Sequence, residues 1–488
     1  MPGHIYAGLG MYHEAAISLE SATRAEIGYM QRQMVFPYNT WNYAHNRNYL
    51  SYVQEQLGLP SEAIRGAREL LAVPLDARLN DATRFSPHWQ GVSALTRALV
   101  KFERWDEILR PGSIPWGSSL RDRLMRGYAE ALARLAKNDV DADRAVHDFT
   151  ALKTELDKPE NTSYRPQFEV QRLELEATLA LKWGDPLQGL MLLTEAAPKE
   201  LELRSEYDDP PFYPTLMYAK LGYAYLDHGS PGLAAEAFGK ALRAVKNDPF
   251  ALAGLARARH ALGDGTAANQ AFGRMQHVWS DAEPGLRPLD RARATGLRAA
   301  AADRSPGPQR NYRQMNLDQY GPAIWRPYVA PALDARDAAG AAVSLDEFRG
   351  RNVILVFYLG AGCAHCVLQV KELSERSDRW KGLDADVVAV STDSIESNAA
   401  SQPSIKVRLL SDPQFANARR FKSYDDFEEM PIHSTILIDK TGRVHWGRHG
   451  GAPFTDYEFL ASQLQRMNAA AQSHASEPEA RRSRGLDK

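Results

Sequence analysis

Cysteine is almost absent: 488 residues contain two. That excludes the disulfide framework by which a small secreted fold is recognised, and it leaves the compartment open. Charge of either sign is not in excess. With 59 Lys and Arg against 61 Asp and Glu, the formal net charge is −2, which removes any general electrostatic reason to expect nucleic acid or an anionic membrane as a partner. No apolar run approaches the length that spans a bilayer. The opening MPGHIYAGLGMYHEAA has no charged stretch followed by an apolar one, so no signal peptide is expected there. It reads like the interior of a helix pair and therefore like an incomplete start. What is present is ordinary soluble composition, 44% hydrophobic and 25% charged, over a length that suggests roughly two to four domains.

Both cysteines sit in one stretch, NVILVFYLGAGCAHCVLQV at 352–370, as Cys363-Ala364-His365-Cys366. The β-branched and aromatic run 353–358 predicts a strand buried on both faces. Gly360 and Gly362 break it, and 364–380 predicts a helix with Val367, Val370 and Leu373 on one face. Cys363 then lies at a helix N-terminus, where unpaired N–H groups and the macrodipole favour an anion. Such a position lowers a thiol pKa and supplies a nucleophilic thiolate, and Cys366 is near enough to close a disulfide. A rival reading is half a zinc site completed by His445 and His449. Those histidines begin 79 residues beyond Cys366 (445 − 366), far from zinc-finger spacing. No cofactor is implied.

Residues 1–280 read as a repeat array. Leu221 falls on Leu255, Gly222 on Ala256, Gly229 on Gly263, Ala234 on Ala268, Ala237 on Ala271 and Phe238 on Phe272, each 34 residues apart (255 − 221). Small residues let two helices approach closely while Leu and Phe fill between them. The pattern resembles the tetratricopeptide repeat, with weaker copies at Gly10, Ala15, Leu19 and Ala22 and at Leu50, Gly58, Ala63 and Ala67. The stretches 121–157 and 168–197 look like degenerate members. That resemblance implies an all-α solenoid of about seven helix pairs with a groove for a protein or peptide, or else a spacer. The aromatics Tyr38, Trp41, Tyr43 and Tyr49 are either groove surface or repeat core.

A linker is expected over 281–322, partly helical at 289–303 and broken by SPGPQRN at 305–311. From there to 468 short strands alternate with helices, which argues an α/β domain spanning 323–468. Strands are expected at 387–390 and 407–410, and a hairpin at 434–447 around Asp439-Lys440-Thr441-Gly442. A last helix is expected from Thr455 with Glu458 closing a capping box. The tail 469–488 reads as disordered.

Residues 325–467 resemble the thioredoxin-like redoxins, the superfamily of alkyl hydroperoxide reductase and thiol-specific antioxidant proteins. The carrying features are Ala330-Pro331 with Leu333-Asp334, then Val343-Ser344-Leu345 and Phe348-Arg349-Gly350. After the Cys-x-x-C come VVAVSTDS at 387–394, LLSDP at 409–413 and STILIDKTGRV at 434–444. The resemblance implies a thiol-disulfide oxidoreductase in which Cys363 attacks and Cys366 resolves. Its partners would be a protein thiol or disulfide and an electron donor. His365 resembles the isomerase Cys-x-His-Cys, which shifts a couple toward roughly −180 mV from the roughly −270 mV of thioredoxin. Peroxide-reducing relatives carry Pro-x-x-x-Thr-x-x-Cys, where this chain has Val356 and Gly360. They also place an Arg where His433 stands, and thioredoxins place a cis-Pro near there, where this chain has Pro431. Cytochrome-maturation relatives carry a Glu at the position of Gln369. His433 and Gln369 are thus accessory candidates, His433 for proton transfer near Cys366. Two alternatives stay open: a peroxiredoxin-like peroxidase, and a binding scaffold with a redox-sensing or inactive redoxin domain.

Overall fold

The structure is a computed structural model that describes residues 2–78, 80, 86–207, 209–211, 213–298 and 310–482. It divides into two compact units. Residues 29–39 and 76–78 join 325–482 in one, and the remaining described residues form the other.

The first unit is helical, each helix packing mainly on its neighbours in sequence. The strongest repeat lies in the helices Met217–Asp227, Pro231–Ala244, Pro249–Ala261 and Gly265–Val278. Its matched positions are core: Leu221, Ala234, Phe238, Ala268, Ala271 and Phe272 are all buried. The Phe238 ring is seated against two glycines. A Cβ on Gly222 would come within 2.7 Å of it, and a Cβ on Gly254 would overlap it. Gly239, on the same helix as Phe238, has only an Arg243 nitrogen 3.7 Å from its would-be Cβ. Replacing a helical glycine by alanine gains about 1 kcal/mol in propensity, whereas overpacking costs about 1–3 kcal/mol. Gly254→Ala is therefore expected to lower the urea midpoint and Gly239→Ala to raise it. Equal shifts in both would show that the ring does not require the glycine.

An open stack of pairs would leave its first and last members apart. Here they share one core, in which Tyr12, Leu50, Val53 and Leu57 pack with Leu252, Phe272, Met275 and Trp279. Polar bonds tie the same ends: Tyr12 donates to the Lys246 carbonyl at 2.8 Å, Gln56 to Asp248 at 3.0 Å and Trp279 Nε1 to the Gln56 carbonyl at 3.0 Å. The unit also buries charge. Arg97, 1% exposed, pairs with Glu55, 0% exposed, at 2.8 Å. Of the four aromatics weighed for a groove, Tyr43 and Tyr49 are buried and Trp41 is 53% exposed. The expected linker carries the helix Arg287–Arg293, and its Tyr312 and Leu317 are buried in the shared core. Its residues 299–309, with most of the breaker cluster, lie outside the described residues.

The second unit is built on an eight-stranded sheet. Its strands are β1 (Tyr328–Val329), β2 (Ala335–Asp337), β3 (Ala342–Val343), β4 (Asn352–Phe357), β5 (Ala385–Ser391) and β6 (Arg408–Ser411). A separate pair, β7 (Tyr424–Asp425) and β8 (Met430–Pro431), precedes β9 (His433–Ile438) and β10 (Arg443–Gly450). The sheet order is β1-β10-β9-β4-β5-β6-β2-β3. β4 is buried at every residue, parallel to β5 and antiparallel to β9, as its unbroken apolar run requires. This is the sheet-containing thioredoxin-like architecture that the resemblance implies. Phe36 and Tyr38 belong to this unit: Tyr38 donates to the Gly447 carbonyl, and a Cβ on Gly447 would lie 2.8 Å from the Phe36 ring.

Two local expectations are corrected. The helix after the cysteines is two helices, Ala364–Glu375 and Ser377–Gly382, divided at Arg376. The last helix starts at Tyr457, not Thr455. Its first turn is capped by Asp456, which accepts from the Phe459 amide at 2.9 Å, while Glu458 instead pairs with Arg379. The backbone of that helix runs to Arg482. The alanine-rich stretch after Asn468 is a strong helix former. Residues 483–488 lie outside the described residues.

Candidate active site

The buried strand β4 delivers the chain to Tyr358, whose amide bonds the Val390 carbonyl of β5 at 3.1 Å. The backbone then turns at Gly360, with φ +91°. Asp393, just beyond β5, fixes this turn: its carboxylate accepts from the Ala361 amide at 2.9 Å and from Ser391 Oγ at 3.1 Å. A Cβ on residue 360 would lie 2.7 Å from that carboxylate. The loop thus needs glycine both for its left-handed backbone and for its close approach to Asp393. A threonine hydroxyl of the kind peroxide-reducing relatives carry has no room there. Val356, at the place of their proline, is buried inside β4.

Cys363 is the N-cap of the helix Ala364–Glu375, and its Sγ accepts from the Cys366 amide at 3.4 Å. The two cysteines are joined by a disulfide, with Cα atoms 5.3 Å apart. Cys363 is half-buried, whereas Cys366 is 0% exposed. His365 between them is exposed.

His433 opens β9, and the pairing of β9 with β4 and β10 carries it to the cysteines. Its Nε2 lies 2.9 Å from Cys366 Sγ and 3.9 Å from Cys363 Sγ. Burial lowers the His433 imidazole below the usual histidine range. Hydrogen bonding to the backbone of Gly451 and Gly450 opposes that fall, and the nearby His365 adds to it. A neutral imidazole with Nε2 at hydrogen-bond distance from a buried sulfur is placed to exchange a proton with the thiol that reduction forms there. Among the described residues the one cis peptide is Asp209–Pro210, so Met430–Pro431 is trans. Gln369 is buried one helical turn beyond Cys366. Its Nε2 donates to the Phe454 carbonyl at 2.8 Å and to Thr435 at 3.3 Å, which ties the active-site helix to β9.

The two histidines weighed for zinc do not reach the cysteines. His445 Nε2 pairs with Asp439 at 2.8 Å, and His449 Nδ1 bonds Ser434 Oγ at 2.9 Å. Burial lowers His449 to about 4, with the Met34 backbone opposing. A folded-state pKa below the free value of about 6.5 means that folding favours the neutral ring. Its contribution is complete above about pH 6.5 and is lost as the pH falls toward 4, by up to about 3 kcal/mol. His449→Gln is expected to flatten the stability profile in that window when urea unfolding is followed from pH 7 to 4. An unchanged profile would mean that His449 is not buried neutral.

Residues 328–446 match the AhpC/TSA family. The chain is 27% identical over 163 residues to chloroplastic peroxiredoxin Q of Triticum aestivum, covering 33% of this chain and 75% of that protein. It is 29% identical over 128 residues to peroxiredoxin Bcp of Escherichia coli strain K12, covering 24% of this chain and 80% of that protein. The reduced 2-Cys peroxiredoxin of Plasmodium vivax aligns with 30% of this chain and 99% of its own, at 20% identity and a TM-score of 0.28. At the family level, the AhpC/TSA match and the two peroxiredoxins similar in sequence support an oxidoreductase of peroxidase type.

Proposed function

With residues 328–446 forming an AhpC/TSA redoxin domain, we propose that the chain is a dithiol–disulfide oxidoreductase working through Cys363 and Cys366. The observation that carries this reading is the pair itself. One sulfur caps a helix N-terminus near solvent, and the other is buried at 2.9 Å from a histidine nitrogen. In the reduced state the Cys363 thiolate attacks a disulfide R–S–S–R′, forming the mixed disulfide and releasing R′S⁻. His433 Nε2 takes the Cys366 proton. The Cys366 thiolate then attacks Cys363 Sγ, closing the internal disulfide and releasing RS⁻. Two electrons pass to the substrate, and a dithiol donor restores the pair. The family implies such thiol or electron-donor partners, and we assign recruitment of a protein partner to the helical unit.

A second reading is favoured by the peroxiredoxin relatives. In it, Cys363 attacks the O–O bond of a peroxide, an alcohol or water leaves, and the sulfenic acid condenses with Cys366 to release water. Against it stand Gly360 and Val356, at the places where peroxide-reducing peroxiredoxins usually carry the Thr that contacts peroxide and the Pro that shields the thiolate.

The test supplies the full chain with dithiothreitol and either insulin or hydrogen peroxide. Catalysed insulin reduction with slow peroxide consumption supports exchange. Rapid sulfenic-acid formation in Cys366→Ser supports the peroxidase instead. No reversible couple would leave a binding scaffold.

A further inference from the structure

We propose that the reduced site binds one thiophilic d10 cation through Cys363 Sγ, Cys366 Sγ and His433 Nε2, and that closing the disulfide expels it. This rests on the reversible cysteine couple proposed above and adds a second ligand to the same three atoms.

The geometry comes first. With the disulfide closed, the three donor atoms lie within 4.8 Å of one another. Reduction parts the two sulfurs, while the helix, the turn and β9 set the backbone positions of all three residues. His433 opens β9 opposite Gly450 of β10, so strand pairing sets its backbone position before any ion arrives. Cys363 and Cys366 are three residues apart on the first turn of one helix, whose exposed amides favour both as thiolates. Exposed Gly362 and Ala364 flank half-buried Cys363, which leaves an approach from solvent.

The donor set then selects the ion. Two thiolates and an imidazole suit soft cations such as Zn(II) or Cu(I) over hard ones that prefer oxygen. Three protein ligands leave a fourth position open. Charge orders the two candidates. The reduced set carries −2, so Zn(II) makes it neutral and Cu(I) leaves −1. Because Cys366 is 0% exposed, the neutral complex costs less to bury.

Oxidation removes the site by removing its ligands. A disulfide sulfur has neither the charge nor the donor strength of a thiolate, so His433 alone remains. A dithiol reduces the bond, itself becoming a cyclic disulfide. The ion then displaces two protons from the two thiols as it binds. Metal occupancy and the disulfide therefore exclude each other, and the ion blocks exchange while bound.

The full chain is reduced with tris(2-carboxyethyl)phosphine under argon and desalted. It is then titrated with Zn(II) against a chromophoric chelator and separately with Cu(I) against a Cu(I)-selective chelator. One equivalent per chain is expected in the reduced protein and none after oxidation, with bound ion protecting both thiols from iodoacetamide. His433→Ala is expected to weaken binding by at least about tenfold, a step of 1.4 kcal/mol, while a thiol titration still finds both cysteines. Retention of either ion under these terms supports the site, and the tighter one names its ion. Equal affinity in wild type and His433→Ala overturns it, as do alkylation unchanged by the ion and reduced protein that binds none. If the chain reduces insulin yet binds no ion, only the metal site falls. If it does neither, the oxidoreductase reading falls with it.

Discussion

Cys363→Ser is expected to leave no dithiol-driven insulin reduction above the uncatalysed rate, a loss of at least about a thousandfold on the scale of other deleted nucleophiles. Cys366→Ser is expected to lose turnover as well, but to accumulate a covalent mixed disulfide with its substrate. The asymmetry follows from burial and helix position. Cys366 is 0% exposed, so an incoming disulfide meets Cys363 first, and Cys363 Sγ already accepts the amide of residue 366. Serine at 363 keeps the cap but is a far weaker nucleophile than a thiolate. Serine at 366 leaves the attacking sulfur intact and removes the group that resolves the adduct. Intact-mass spectrometry after mixing with a disulfide-linked peptide distinguishes the two. An adduct on Cys363→Ser and none on Cys366→Ser would exchange the roles of the two sulfurs.

Glu55→Gln is expected to destabilise the helical unit by about 3–5 kcal/mol, because it leaves a buried guanidinium uncompensated. Arg97 Nε meets Glu55 at 2.8 Å, and Arg97 Nη1 also donates to Asn48 Oδ1 at 2.9 Å and to the Pro211 carbonyl at 3.1 Å. These oxygens satisfy the guanidinium, but only Glu55 carries the opposing charge among them. The double variant Glu55→Leu with Arg97→Met removes both charges and is expected to recover most of the loss. Urea unfolding of the wild type, the single variant and the double variant forms the test. A double variant no more stable than the single one would mean that the site depends on the hydrogen bonds rather than on charge balance.

Where sequence and structure agree, the signal is local. The apolar run before the cysteines, the glycines after it and the helix that follows are contiguous, and they become β4, its turn and the active-site helix. The 34-residue match marked Phe238 and Gly222 because a ring between two close helices demands small residues on a fixed period. What stayed hidden depends on distant pairing. His433 could be flagged from its place before STILID. Its 2.9 Å approach to Cys366 is set by the register of β4 on β9, Phe357 opposite Ser434. Asp393 lies in a run quoted for its resemblance, yet its hold on the turn reaches back 32 residues. His445 and His449 looked like ligands only because histidine is a ligand type, and each has its own partner. Nothing local in the sequence distinguishes the buried Arg97–Glu55 pair from an exposed one. The closure of the first unit joins residues near 12 and 56 to residues near 248 and 279. A periodic pattern carries no information about its own ends.

The membership of residues 29–39 in the redoxin-bearing unit bears on how the chain is made. That segment leaves the ribosome 286 residues (325 − 39) before the first residue of 325–482. At about 5–20 residues per second, the interval is about 15–60 seconds. Phe36, fully enclosed in the finished fold, has during that time the Tyr38 ring stacked on it but not Gly447 of β10. The surface of β10 that covers Phe36 is thus among the last parts of the unit to be made. A fragment starting at residue 323 would leave behind Phe36 and Tyr38, and with them the cover over Gly447 of β10.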